Sequence, residues 1–473
     1  MLSHIHTPTG DYVGLPPRNG VREFRGIRYA RADRFAPPVA VTDHRGTVAA
    51  DSFGGIAYQV PGFLELSQGM SVEDMSEDCL HLNVYVPEDA DTASKLPVLF
   101  WVHGGGFVNG SGSAAWYDGV NLARRGTVVV TINYRLGAFG YPGDRNLGLL
   151  DQVCALQWVR HNIESFGGNP HNITVFGESA GGSATVSLVA SPLARGLFHR
   201  AWAMSPSIGQ YRDRATASTV EAMLLEELGV GSLEEAVSLP ATDVLDAQTR
   251  VSARRPGSPD SFAPTHDGAG LDGHIIDAAA ASPLPMALGT NRDENRLWSA
   301  LDPSFASKTE SDWVEHLRRT FGDAAETARG VYEALRPGET HGQLISAVNS
   351  DVSFRQHVRV LANRRADNDN PTWVYWFTWS STALGGALGS CHALDIPFAF
   401  DNLDAPKVRG LIGHDADTGN LAAEFADSIV HFAVHGHASW GQYDRTTGAT
   451  LRMDLQSELL SHPENDIHVL FGN

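Results

Sequence analysis

The pentapeptide Gly177-Glu178-Ser179-Ala180-Gly181 could place a serine hydroxyl where it can attack a carbonyl. A serine is a weak nucleophile unless a base takes its proton, an acid orients the base, and donors hold the resulting oxyanion. Ile173-Thr-Val-Phe176, just before it, is a β-branched and aromatic run that reads as a buried strand. Ala180 to Ala190, just after it, is small, apolar and free of proline, and reads as a closely packed helix. Gly177 and Gly181 lack the Cβ atoms that would clash in so tight a strand-to-helix turn, so Ser179 can be strained and exposed. The helix aims free N–H groups and a partial positive charge at an anion forming beside it. With 48 glycines among 473 residues the pentapeptide alone is a weak signal. Its flanks give it meaning.

Candidate oxyanion donors lie at His103-Gly104-Gly105-Gly106-Phe107, directly after an apolar run ending at Val102. Successive glycines let backbone N–H groups approach a ligand more closely than bulkier residues would.

These groups need a frame. Leu96 to Val102 and Thr127 to Asn133 are continuous apolar runs suited to central strands buried on both faces. Leu80 to Val86 alternates apolar and polar residues, as a half-exposed antiparallel strand would. Leu149 to Phe166 has helical spacing and is closed by Gly167-Gly-Asn-Pro170. Further strands are predicted at Ala201–Ser205, Pro285–Gly289 and Trp373–Trp379, and a small sheet within 11–40. Alternating strands and helices of this kind predict an α/β fold with a doubly wound, mostly parallel sheet. We read 1–473 as a single catalytic domain with helical insertions at about 213–265 and 300–365. Arg254 to Asp260, rich in proline, is the segment predicted to be most flexible.

The charge balance is 35 basic against 55 acidic residues, a formal net charge of −20, which argues against nucleic acid and anionic membranes as partners. No run of eighteen apolar residues predicts a transmembrane helix, and the amino terminus lacks the basic and apolar regions of a secretory signal. The three cysteines, Cys79, Cys154 and Cys391, form no metal-ligand pair, and their odd number and spacing fit a reduced, cytoplasmic setting.

The chain resembles the type-B carboxylesterases, the cholinesterase-containing group of the α/β-hydrolases. The resemblance rests on Phe24-Arg-Gly-Ile-Arg-Tyr-Ala, Ser76-Glu-Asp-Cys-Leu-His-Leu-Asn-Val and His103-Gly-Gly-Gly-Phe. It continues through Asn133-Tyr-Arg-Leu-Gly-Ala-Phe-Gly, Gly148-Leu-Leu-Asp-Gln and Phe166-Gly-Gly-Asn-Pro to the serine motif. It implies that Glu294, in Gly289-Thr-Asn-Arg-Asp-Glu, is the acid, with Asp293 as the alternative, and that His392, in Cys391-His-Ala-Leu-Asp, is the base. The order serine, acid, histidine along the chain is that of the α/β-hydrolases. It further implies oxyanion donors at Gly105, Gly106 and Ala180, auxiliary residues at Glu178 and Ser205, and a buried Glu77–Arg135 ion pair. The family usually has glycine where Pro206 stands. Extracellular members join the Cys79 position to an upstream cysteine, which this chain lacks, and cholinesterases hold a choline head on a tryptophan that residues 52–78 do not contain.

The expected activity is hydrolysis of small to medium neutral carboxylic esters through an acyl-enzyme, with no metal or organic cofactor required. A carbamate or anilide amide would suit the same groups. A non-catalytic binding protein is disfavoured because serine, glutamate and histidine are all present. If neutral His392 is the base, activity should fall on the acid side near pH ~6–7.

Overall fold

The computed structural model describes residues 2–44, 46–67, 74–257, 261–414 and 418–472. Among them a 10-stranded sheet forms the frame. Its strands are β1 (Val21–Arg28), β2 (His81–Pro87), β3 (Leu96–Val102), β4 (Val128–Ile132) and β5 (Gly168–Glu178). There follow β6 (Arg200–Met204), β7 (Met286–Asn291), β8 (Thr372–Phe377), β9 (Ala449–Met453) and β10 (Glu458–Ser461). Their spatial order is β10-β9-β8-β7-β6-β5-β3-β4-β2-β1. Pairings from β4 across to β9 are parallel, while β1, β2 and β10 join antiparallel at the margins. Residues 11–40, expected to hold a small sheet, are shared among β1, a separate 3-stranded sheet and a two-residue ladder.

Cover on both faces explains the apolar runs. In β3, Val98, Phe100 and Val102 enter one core while Leu99 and Trp101 enter the other. β2 obeys the same rule, which corrects the half-exposed reading. Leu82, Val84 and Val86 enter the first core, Tyr85 the second, and His81 and Asn83 are buried as well. Asn83 is hydrogen-bonded and not wet: it accepts from Gly26 N at 2.9 Å and donates to Thr131 Oγ1 at 3.0 Å.

Helix α1 (Leu147–Asn162) passes into a 3₁₀ turn, Ile163–Phe166, and stops at Gly167, whose φ of 84° is the left-handed conformation of a C-terminal glycine. The stop signal is therefore where it was expected, but Gly168 already begins β5, which is longer than the predicted strand. Helix α2 (Ala180–Ala190) is buried over almost its whole length and lies against β5 and β6.

The 213–265 segment contains α3 (Arg214–Leu228) and α4 (Ala241–Ala253), which pack on Phe35, Phe139 and Phe262. Of the predicted flexible segment, residues 258–260 lie outside the described residues. The 300–365 segment contains α5 (Glu310–Phe321), α6 (Ala325–Leu335), α7 (His341–Ser350) and the start of α8 (Gln356–Asp367), around Trp313, Tyr332, Val348 and Ile467. A π-helical turn, Asp351–Arg355, joins α7 to α8.

The Glu77–Arg135 pair does not form. Arg135 takes Asp151 of α1 through two nitrogens at 2.8 and 2.7 Å, both groups buried, while Glu77 pairs with Arg34. The Arg135 backbone N–H also donates to Asp151 Oδ2 at 3.0 Å, and the two-nitrogen fork is the strongest geometry for such a pair. All three cysteines are free and buried. Among the described residues no helix is long and apolar enough to cross a membrane.

Candidate active site

Ser179 stands between the last residue of β5 and the first of α2, with φ 58° and ψ −121°. A non-glycine residue there is strained, and packing holds it. Ser179 N donates to Met204 O at 2.9 Å. A Cβ on Gly181 would lie 2.0 Å from Val102 O, and one on Gly177 would lie 2.5 Å from Gly181 O. The sheet and the turn are too close for any side chain at either position. Glu178 and Ala180 are buried, while Ser179 between them keeps partial access to solvent.

The glycine loop lies alongside: a Cβ on Gly104 would come within 3.1 Å of Ser179 Cβ. Gly105 adopts φ +108° and Gly106 φ +61°, and a Cβ on Gly105 would meet Asn109 O at 2.2 Å. Among the described residues the N–H groups of Gly105 and Gly106 donate to no protein acceptor, which leaves them available to a ligand oxygen. Gln59 clamps the far end of the loop, accepting from Gly110 N at 2.7 Å and donating to Gly110 O at 3.0 Å.

Glu294 and His392 meet as buried partners, His392 Nδ1 2.6 Å from Glu294 Oε2. The other carboxylate oxygen of Glu294 accepts from Ser205 Oγ at 2.5 Å and from Asn291 N at 2.7 Å. Pro206 does not displace Ser205 from this position. Asp293, the alternative acid, accepts instead from Ser390 N at 3.0 Å. His392 Nε2 lies 3.2 Å from Glu178 Oε1, close enough for charge attraction but not aligned as a hydrogen bond. No hydrogen bond joins Ser179 to His392 among the described residues.

Burial alone would lower the His392 pKa, but Glu178 and Glu294 outweigh it and raise it to about 9. Burial raises Glu178 to about 8, with His392 opposing the shift. Burial also raises Asp395 to about 7, with Glu294 adding to the shift. His103 is pushed down to about 4 by burial and remains neutral.

Ser179, His392, Glu178 and the glycine loop line one cleft of about 570 Å³. Its other walls include Tyr117, Trp298 and Phe354, with Glu65 and Gln210 supplying polar atoms. The rings of Trp298 and Phe354 lie 5.1 and 4.7 Å from that of His392. Sequence reasoning missed both rings, together with Gln59 and Asp395. Trp298 was within reach, four residues past Glu294. Phe354 sits on the π-helical turn, which no motif marks.

The Carboxylesterase family pattern matches residues 4–466. The chain belongs to the carboxylesterase family. It is 34% identical to the para-nitrobenzyl esterase of Bacillus subtilis (strain 168), over 98% of each chain. It is 35% identical to the phenmedipham hydrolase of Pseudarthrobacter oxydans, over 86% of this chain and 85% of that one. The crystal structure of the carboxylesterase EST55 of Geobacillus stearothermophilus superposes with a TM-score of 0.86 at 32% identity, covering 99% of each chain. The fold is therefore the α/β-hydrolase fold, and this carboxylesterase is a serine carboxylic ester hydrolase. Within it, Trp116 is buried and donates its indole N–H to Pro406 O at 3.1 Å, so of the two aromatic residues after the glycine loop only Tyr117 lines the cleft.

Proposed function

We propose that Ser179 is the nucleophile, His392 the general base and Glu294 the acid that orients it, acting on small to medium neutral carboxylic esters. The observation that carries this reading is the buried 2.6 Å Glu294–His392 contact, opening on the cleft that also holds the strained Ser179. Ser179 Oγ bonds to the ester carbonyl carbon as His392 Nε2 takes the hydroxyl proton. The tetrahedral oxyanion is held by the N–H groups of Gly105, Gly106 and Ala180. The C–O bond to the alcohol then breaks, and His392 returns the proton to the leaving oxygen. Water, deprotonated by the same nitrogen, attacks the acyl carbon; the bond to Ser179 Oγ then breaks, His392 returns the proton to that oxygen, and the acid leaves. Glu294, held by donors from Ser205 and Asn291, remains a carboxylate facing the imidazolium that forms.

The Trp298–Phe354 wall supports substrates carrying a flat apolar group. A carbamate reading has its own support in the relative named for phenmedipham hydrolysis. The test is Ser179→Ala together with a fluorophosphonate probe. The variant should fold and lose roughly three or more orders of magnitude in esterase activity, and the probe should label wild type at Ser179 alone. Near-normal turnover by the variant, or labelling elsewhere, refutes the assignment. A nitrophenyl ester series run beside one carbamate and one anilide separates the substrate readings.

A further inference from the structure

We propose that Asp293 is a positioning residue, whose carboxylate pins the loop carrying Glu294 to the loop carrying His392. The inference rests on the roles proposed above for those two residues. Asp293 N–H donates to Ser390 O at 2.9 Å, and Asp293 Oδ2 accepts from Ser390 N–H at 3.0 Å, closing a ring between the loops. The next contact along is His392 N to Glu294 O at 3.1 Å. Both loops also hang from one carbonyl at the end of β8: Phe377 O accepts from Arg292 N at 2.9 Å and from Ser390 Oγ at 2.8 Å. The approach is so close that Gly389, with φ +56°, could not carry a Cβ, which would lie 2.6 Å from Asp293 Oδ2.

The second oxygen of Asp293 makes no hydrogen bond among the described residues. It lies 3.6 Å from Nη1 of the buried Arg336 and 3.9 Å from Nε of Arg296. These cations compensate for burying a charge at a position where a neutral acceptor would serve Ser390 equally well. Arg336 follows α6, so the helical insertion also braces this joint. Two functions are thus combined in one side chain, an anchor for Ser390 and a counter-charge for the arginines. The first is the one that fixes where Glu294 meets His392.

Substitutions separate the two. Asp293→Asn keeps an acceptor for Ser390 N–H and loses the charge. Asp293→Glu keeps the charge, but its extra methylene carries the carboxylate past that N–H. Asp293→Ala loses both. With kcat counted per site titrated by a fluorophosphonate, unfolded protein drops out of the comparison. Asp293→Asn should stay within about threefold of wild type in kcat on a neutral nitrophenyl ester, while the Glu and Ala variants fall about tenfold or more with KM within about twofold. The reverse order, Glu active and Asn impaired, would assign the effect to charge and overturn the anchor. So would wild-type kcat in all three. If neither Glu nor Ala folds, a tenfold loss in Asn alone overturns the proposal, and near-normal turnover in Asn supports it. Ser179→Ala runs alongside: inactive there with an unimpaired Asp293→Ala defeats the positioning role only, whereas turnover by Ser179→Ala defeats the underlying reading and this role with it.

Discussion

His392 faces two carboxylates, Glu294 at Nδ1 and Glu178 near Nε2, and only one of them was expected to bear on its proton. Against the burial that favours the neutral ring, the two carboxylates raise its pKa to about 9. A base must be free of its proton, and a raised pKa keeps the protonated, inactive form to higher pH. The acid limb of kcat/KM should therefore lie above the ~6–7 of an ordinary imidazole. Glu178→Gln removes the charge beside Nε2, and the limb should move down by about one pH unit or more. The measurement is kcat/KM against pH on a neutral ester for both proteins. Coincident limbs would mean that Glu178 does not act on His392.

The strand–serine–helix element makes demands that its glycines disclose. A Cβ on Gly181 would lie 2.0 Å from Val102 O and 2.8 Å from His103 O, all backbone that cannot swing aside. Gly181→Ala should cost about 3 kcal/mol or more and abolish turnover, because the turn and β3 must separate. Gly330, inside α6, has open space around its Cβ position and an ordinary φ. Gly330→Ala should stabilise by about 0.5–1 kcal/mol with activity unchanged, since it only relieves the helix of glycine's entropy. Denaturant midpoints measure both, and equal effects from the two would refute the close-packing argument. The serine element was legible because local residues set it: apolar run, glycines, small-residue helix. β3 and β4 were legible for the same reason. β9 and β10 were not, because Arg452 and Glu458 interrupt the apolar pattern and pair across the sheet margin. Nor could spacing place Glu294 and His392, 98 residues apart, since only the shared joint of β7 and β8 brings them together. The Arg135 partner was misread because Asp151 reaches it through the packing of α1, which no local pattern encodes.

At the scale of the whole molecule, a net charge of −20 and a cleft containing Glu65 and Glu178 would draw in a cation, which bears on whether choline esters suit this enzyme. Attraction of that kind raises encounter and fades beyond a Debye length of ~8 Å at physiological salt. What decides turnover is the place where the cation must rest. Residues 52–78 offer no tryptophan, and Trp116 is only 1% exposed. The large aromatic face left in the cleft is Trp298, 50% exposed, whose ring lies 5.1 Å from His392. A quaternary ammonium on that face would gain about 0.5–2 kcal/mol. The Trp298 ring also lies against His392, which becomes an imidazolium in the transition state, so like-charge repulsion offsets part of that gain. The repulsion grows in the transition state, so it acts on turnover. A neutral ester should therefore exceed the choline ester of the same acid in kcat/KM by about tenfold or more, or ~1.4 kcal/mol of transition-state stabilisation. The leaving groups must have similar pKa, so that intrinsic reactivity is matched. Raising salt to about 0.5 M should lower kcat/KM for the choline ester alone, because only its approach is steered by charge. Equal or faster turnover of the choline ester at both salt concentrations would refute the like-charge argument. Trp298→Ala would then test the cation face directly, with loss of choline-ester turnover in that variant placing the ammonium on the indole after all.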